Sequence, residues 1–161
     1  MYYGDKVKTK LKLNSGIVDP TIAALTEIGN FINKNKDLYH VQGISTAGTY
    51  NPDSAYAYPH KYALGIDLFN GWTYSKNGKT YAPYSTNGPG QWKNYEKFIC
   101  EVCNGQEDCN LNLNYHIANI FKKHGFCWGG DWGPKYFDPM HYEWHKESSC
   151  STSNKARISC D

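Results

Sequence analysis

The sequence predicts an α+β fold in which a small antiparallel sheet is flanked by helices. Apolar residues recur at helical spacing in three segments, at about 20–35, 91–103 and 112–124. Shorter segments at about 41–44 and 63–69 have the length or the alternation of strands. At 161 residues, the chain is long enough to bury the core of one domain.

The first helix is predicted to begin at Asp19-Pro20, because Asp is a favoured N-cap and proline suits the first helical position. Its apolar residues then lie on one face: Leu25, Ile28, Phe31 and Ile32. Ahead of this helix, residues 7–13 alternate between apolar and polar side chains, which predicts an edge strand.

The two later helices each have an apolar inner face. The inner residues are Trp92, Tyr95, Phe98 and Ile99 in one helix and Leu113, Ile117, Ile120 and Phe121 in the other. Gly125 is expected to end the last helix. Residues 70–90 carry Asn-Gly pairs and Gly-Pro-Gly, which predict a long polar connection made of turns or a flap.

Charge and hydropathy exclude two classes of partner. The formal net charge is +2 and is spread along the chain, so it gives no argument for nucleic acid or a membrane surface. No apolar run is long enough to cross a bilayer. We therefore expect no nucleic-acid partner and no membrane insertion, and we expect a monomer.

Fourteen Tyr and five Trp suit either a groove that stacks on sugars or extended peptides, or a Tyr-rich core edge.

Six cysteines indicate an oxidising compartment: Cys100, Cys103, Cys109, Cys127, Cys150 and Cys160. An even number in a small, loop-rich chain favours disulfides. We expect Cys150–Cys160 to close the tail, and the other four to pair among themselves. A zinc knuckle at Cys100-x-x-Cys103 is the alternative, but it lacks a second closely spaced pair.

The cysteines also suggest where the domain ends and where the protein works. We expect one catalytic domain at 1–148 and a disulfide-bearing tail at 149–161. We expect an extracellular or cell-wall location, with an export signal or a larger parent removed from this chain.

The strand at 63–69 carries the first candidate metal ligands. Alternation places Asp67 on the face shared by Ala63 and Gly65, so small side chains leave room beside the carboxylate. His60 is an odd number of residues from Asp67, so a continuous strand would place it on the opposite face. The sequence therefore predicts a bend between residues 60 and 63. Alone, His60 would be interpreted as a surface histidine and Asp67 as a turn or capping residue; the segment 125–141 favours a metal site.

The segment 138–145 carries the second half of the site. It fails to match either of the two helical zinc motifs by one residue. One motif has Glu where this chain has Tyr142, and the other has Glu where this chain has Trp144. As a strand, it places His141, Glu143 and His145 on one face.

These residues together predict a zinc hydrolase. We expect His60, Asp67 and His141 to bind Zn²⁺, with a further carboxylate acting as the general base. Asp138, on the turn before His141, is the predicted base, and Glu143 is the second candidate. In the block Gly-Phe-Cys-Trp-Gly-Gly-Asp-Trp at 125–132, the Asp is expected to hold backbone amides.

In these motifs the sequence resembles the VanY-like zinc peptidases of peptidoglycan, which include D-Ala-D-Ala carboxypeptidases and L-Ala-D-Glu endopeptidases. His60 and Asp67 match the spacing of the family's first motif, and Asp138 and His141 match its second. The resemblance covers about 17–145 and implies the zinc D-Ala-D-Ala peptidase-like (hedgehog/DD-peptidase) fold. It also implies peptidoglycan stem peptides as the substrate.

The bond that is cut is predicted from two observations. The block at 125–132 resembles the endopeptidase branch. The family's arginine near this site is replaced by Asp53, and the only arginine is Arg157 in the tail, so a clamp for a terminal carboxylate is missing. The sequence therefore predicts an L-Ala-D-Glu endopeptidase.

Three alternatives stay open. One is a D-Ala-D-Ala carboxypeptidase, in which Lys61 would replace the arginine. Another is a catalytically silent wall-binding module, which the missing arginine and Tyr58 in place of the family's serine favour. The last is a structural zinc site, in which His145 would complete the coordination sphere.

Overall fold

The fold is α+β, as predicted, with an antiparallel sheet and four helices in the part of the chain described. The computed structural model describes residues 11–49, 51–53, 58–81, 89–145, 150, 155 and 157–161. The helices are α1 (Val18–Lys34), α2 (Tyr58–Lys61), α3 (Pro89–Cys103) and α4 (Leu113–Lys123). The strands are β1 (His40–Gly48), β2 (Gly65–Lys76), β3 (Lys79–Tyr81), β4 (Phe126–Trp128) and β5 (His141–Trp144).

The sheet has the strand order β1-β2-β5-β4, and β3 pairs with the far end of β2. Every pairing is antiparallel. On β2, Asp67 lies directly opposite His141 of β5, and Gly65 lies opposite Glu143. This register places the two predicted halves of the site next to each other, although they are far apart in sequence.

The core lies between one face of the sheet and the helices. The predicted inner residues of α3 and α4 are buried, which confirms both apolar faces. Tyr142 of β5 stacks on Phe121 of α4, with ring centroids 4.2 Å apart. Because Tyr142 points into this core, its neighbours His141 and Glu143 point to the opposite face.

The start of α1 differs from the prediction. The helix begins at Val18, and a 3-10 turn at Ser15–Ile17 precedes it. The cap is therefore Asn14, whose side-chain oxygen accepts a hydrogen bond from the Gly16 amide at 3.0 Å. Asp19 lies in the first helical turn, where its charge suits the helix dipole. Of the predicted edge strand, residues 7–10 lie outside the described residues and 11–13 form no strand.

The polar segment 70–90 is more regular than predicted. Strand β2 continues to Lys76, and a hairpin turn then leads into β3. Asn77 and Gly78 have φ values of 52° and 75°, as a two-residue hairpin turn requires. The Asn-Gly pair thus joins two strands, where the sequence had suggested only turns. Residues 82–88 lie outside the described residues.

All six cysteines form disulfides, as predicted. Cys103–Cys109 lies within the group of four that was expected to pair internally, but the predicted Cys150–Cys160 bond is wrong. The bonds are Cys100–Cys160, Cys103–Cys109 and Cys127–Cys150. The chain end returns to α3, where Ser159 donates its backbone N–H to Glu96 at 3.1 Å. Cys150 instead reaches β4. The tail is therefore attached to the domain at two separate places and does not close on itself.

Among the described residues, no helix is both long and apolar enough to cross a membrane.

Candidate metal centre

Three side chains from three different elements converge beside the sheet: His60 of α2, Asp67 of β2 and His141 of β5. Asp67 Oδ1 lies 3.2 Å from His60 Nε2 and 2.9 Å from His141 Nδ1. The two histidine nitrogens are 3.2 Å apart. The structure thus brings together the three residues that the sequence singled out as ligands.

His60 reaches the site because the chain bends after α2. The amides of Ala63 and Leu64 donate to the carbonyls of His60 and Pro59, at 3.2 Å and 2.7 Å. Ala63 has a φ of 55°, in the left-handed region, which turns the chain sharply into β2. The predicted bend between residues 60 and 63 is confirmed. Ala63, however, lies in this bend and not on the strand face where it was placed.

Gly65 provides the space that the two imidazoles occupy. A Cβ atom at this position would lie 3.2 Å from His141 Cε1 and 3.3 Å from His60 Cε1. The same atom would lie 2.9 Å from the Pro59 Cβ, closer than normal van der Waals contact. Gly65 therefore leaves room for the side chains that surround the Asp67 carboxylate, as the sequence indicated.

The donor set and its spacing fit zinc. Zinc binds imidazole nitrogen and carboxylate oxygen at about 2.0–2.1 Å in a tetrahedron, so its ligand atoms lie about 3.3 Å apart. The three donor–donor distances here are 2.9, 3.2 and 3.2 Å. Two histidines and one carboxylate are also the donor set of zinc sites that keep one position open.

The side chains at the centre form a charged, hydrogen-bonded group. Burial favours a raised pKa for Asp67, but hydrogen bonds from His141 and His60 outweigh it and lower the pKa to about 2. Burial favours a lowered pKa for His141, but hydrogen bonds to Asp67 and Glu143 raise the pKa to about 9. Near neutral pH, the metal-free site therefore contains an ionised Asp67 and a protonated His141.

Asp138 lies on the turn that leads into β5. Its amide donates to the Gly129 carbonyl at 3.1 Å, and its own carbonyl accepts from the His141 amide at 3.1 Å. Its negative charge contributes to the raised pKa of His141, so the carboxylate lies near that imidazole. Asp138 is not among the three clustered donors. Asp138 therefore lies on the turn before His141 and outside the three-donor cluster.

Glu143 and His145 continue the site on the other side of His141. Glu143 Oε2 lies 3.3 Å from His141 Nε2, and Glu143 Oε1 lies 2.7 Å from His145 Nε2. Burial favours a raised pKa for Glu143, but these two histidines outweigh it and lower the pKa. His145 contacts the carboxylate of Glu143 and is not part of the clustered donor set.

The Gly-Gly pair at 129–130 allows two close approaches. A Cβ at Gly129 would lie 2.4 Å from the carbonyl oxygen of Asp138, and one at Gly130 would lie 2.3 Å from the Trp128 ring. The Trp128 indole donates to the Pro139 carbonyl at 2.9 Å. Because Gly129 and Gly130 have no side chains, the segment that carries Asp138 can pack closely against β4.

The prediction for Asp131 was wrong. Its carboxylate is buried and pairs with the ammonium groups of Lys122 and Lys155, the latter at 3.3 Å, and not with backbone amides. Lys155 also lies 3.3 Å from Glu107. The partners come from α4 and the tail, which a motif confined to residues 125–132 does not reveal.

Trp132 is a site neighbour that the sequence argument missed. Its ring lies against the His141 imidazole, with centroids 5.1 Å apart. Its place in the Gly-Gly-Asp-Trp block, next to the predicted ligand segment, was the available signal. Trp132 therefore covers one side of the His141 imidazole.

Comparison with known families agrees with this geometry. The family described as D-alanyl-D-alanine carboxypeptidase, which is VanY-like, matches residues 54–144 and thus more than half of the 161-residue chain. The chain belongs to this peptidase family. The match covers all three clustered side chains, Asp138 and Glu143. No curated protein and no solved structure matches the peptidase at a significant level.

Proposed function

We propose that this peptidase is a zinc-dependent hydrolase that holds its metal with His60, Asp67 and His141. The observation that carries the proposal is the spacing of their donor atoms, 2.9–3.2 Å, on the three elements α2, β2 and β5. Zinc held by three protein side chains supplies Lewis acidity at a fourth, open position.

Asp138 is the proposed general base. It accepts a proton from the attacking water and donates it to the amine that leaves when the amide bond breaks. Two observations support this role: its backbone is held by hydrogen bonds to Gly129 and His141, and its negative charge contributes to the raised pKa of His141. Glu143 is the second candidate, but both of its oxygens are engaged by histidines. The engagement of both Glu143 oxygens favours Asp138 as the base.

The proposed substrate is the stem peptide of peptidoglycan, cut at the L-Ala-D-Glu bond. Cleavage next to a free carboxylate requires a cationic or multi-donor partner for that carboxylate. The Asn51 amide donates to the His60 carbonyl at 3.1 Å, so the 51–53 turn lies against α2. This turn carries Asp53, and Arg157 lies in the tail. An endopeptidase has no terminal carboxylate to bind, which agrees with this charge distribution.

A D-Ala-D-Ala carboxypeptidase is the second candidate, because the matched family is described by that activity. Lys61 is exposed next to His60 and offers a single positive charge. As a flexible point charge, it would recognise a carboxylate less sharply than a guanidinium group. A wall-binding module without turnover is the third candidate.

The proposal extends to the organisation of the chain. We propose that residues 1–148 form the catalytic domain and that the tail 149–161 is held to it by two disulfides. Three disulfides also favour a site of action outside the cytosol, at the cell wall, with the protein acting as a monomer.

Digestion of purified muropeptides, followed by mass spectrometry, tests the bond and the turnover together. An L-Ala-D-Glu endopeptidase exposes a new D-Glu amino group and leaves terminal D-Ala in place. Release of free D-Ala with the L-Ala-D-Glu bond intact would identify the carboxypeptidase. Binding to the wall without any product would identify the silent module.

Variants of the two kinds of residue test the proposed roles. His60→Ala and Asp67→Ala should lose both zinc and activity, because each removes one of three ligands. Asp138→Asn should keep zinc and lose about 10²–10⁴-fold in turnover, since it removes only the base. If Asp138→Asn stays active and Glu143→Gln is inactive with zinc retained, then Glu143 is the base.

A further inference from the structure

A chain of two hydrogen bonds leads from His141 away from the donor cluster. His141 Nε2 contacts Glu143 Oε2 at 3.3 Å, and Glu143 Oε1 contacts His145 Nε2 at 2.7 Å. The exposed fraction of the side chains rises along this chain, from 6% at His141 to 16% at Glu143 and 39% at His145. A buried donor residue is thus connected through one carboxylate to a histidine near the surface.

The backbone holds His145 in place although it follows the last residue of β5. Its amide donates to the Gly125 carbonyl at 3.1 Å. The preceding Trp144 packs on Gly125, where a Cβ would lie 2.8 Å from the indole ring. Trp144 also contacts Phe126, with ring centroids 5.2 Å apart. The backbone of His145 is therefore held against the turn that precedes β4.

The orientation of His141 decides whether its Nδ1 can act as a donor. Nδ1 lies 2.9 Å from Asp67 Oδ1, on the side of the donor cluster. To bind a metal there, Nδ1 must present a lone pair, and Nε2 must then carry the proton. A carboxylate on Nε2 favours this tautomer. At 3.3 Å the contact with Glu143 is long for a hydrogen bond, so a small displacement of Glu143 would break it.

We propose that Glu143 and His145 are positioning residues: Glu143 holds the His141 tautomer, and His145 holds Glu143. This inference rests on the proposed zinc site and assigns His145, which lies outside the donor cluster, a role in metal affinity. It also separates two roles of Glu143, because a residue that acts only as a base affects turnover and leaves zinc affinity unchanged.

The test is a measurement of the zinc dissociation constant by competition with a chromophoric chelator. Glu143→Ala should weaken zinc binding about 10- to 100-fold, as expected for the loss of a partner of a metal-binding histidine. His145→Ala should weaken it roughly threefold to tenfold, because one hydrogen bond to the carboxylate is lost. His145→Gln, which can still donate to Glu143, should recover most of the affinity.

The double variant Glu143→Ala/His145→Ala is the decisive measurement. If His145 acts through Glu143, the double variant binds zinc no more weakly than Glu143→Ala alone. The matched control is His124→Ala, which removes an equivalent pair, because His124 Nε2 lies 2.8 Å from Glu27 Oε2 between α4 and α1. This control should leave zinc affinity unchanged.

The outcomes separate this inference from the proposed function. Wild-type protein that binds no zinc overturns both. Zinc binding that is unchanged in Glu143→Ala and His145→Ala overturns the positioning role alone. Additive losses in the double variant also overturn it, since they show that His145 acts independently of Glu143. Circular dichroism of each variant without metal verifies that the fold is retained, and His145→Gln remains informative if His145→Ala unfolds.

Discussion

Gly65→Ala is the smallest change that tests the geometry of the donor cluster. The added methyl group would lie 2.9 Å from the Pro59 Cβ, and 3.2 Å and 3.3 Å from the Cε1 atoms of His141 and His60. All three neighbours would have to move, and two of them carry donor atoms. The substitution changes no donor and no charge, so any loss of metal binding reports geometry alone.

The magnitude follows from the crowding. Overpacking by a methyl group in a tightly packed place typically costs about 1–3 kcal/mol. The two imidazoles would have to move away from the new methyl group, which disturbs the present 3.2 Å spacing of their donor atoms. If the metal-bound form carries this strain, zinc affinity falls roughly 5- to 150-fold, because about 1.4 kcal/mol corresponds to a factor of ten.

The assay is chelator competition for zinc, accompanied by thermal unfolding of the metal-free protein. Gly29→Ala is the matched control, because a Cβ there meets no heavy atom within 4 Å and the residue lies within α1. This control should leave zinc affinity unchanged and raise stability by about 1 kcal/mol through helix propensity. Wild-type zinc affinity in Gly65→Ala would refute the argument that this residue makes room for the ligands.

Three other predictions concern protons, the core and the tail. Because its pKa is raised to about 9, His141 should release close to one proton when zinc binds near pH 7.5. Apparent zinc affinity should thus rise with pH up to about 9, and calorimetry in buffers of different ionisation enthalpy that detects no proton release would contradict this. The buried Tyr142 hydroxyl has no hydrogen-bond partner among the described residues, so Tyr142→Phe should raise the free energy of unfolding by about 1 kcal/mol. A loss of stability in urea denaturation would show that the hydroxyl is bonded. Lys155→Ala removes one of two lysines from the buried Asp131 carboxylate and should lower the free energy of unfolding by about 1–3 kcal/mol. The exposed Lys135→Ala is its control, and equal stability of the two variants would argue against a structural role for the tail.

The sequence by itself determined most of the local structure and the identity of the candidate ligands. The apolar periodicity of α3 and α4 predicted which side chains are buried, because periodicity records the face that an element turns to the core. Strand alternation placed Gly65 and Asp67 on one face, and this predicted the space that the two imidazoles occupy beside the carboxylate. The odd spacing between His60 and Asp67 predicted a bend, and the structure has this bend at Ala63, whose φ is 55°.

Only the tertiary structure decided which distant groups meet. The strand register that sets Asp67 opposite His141, the lysine partners of Asp131 and the return of Cys160 to α3 all join residues far apart in sequence. Cysteine spacing does not encode such pairings, since six cysteines allow fifteen connectivities. The same limit concealed the contact of Glu143 with both His141 and His145, since strand alternation predicts a shared face but not a hydrogen bond. Local patterns depend on the periodicity of one element, whereas these contacts depend on how the sheet and helices pack together.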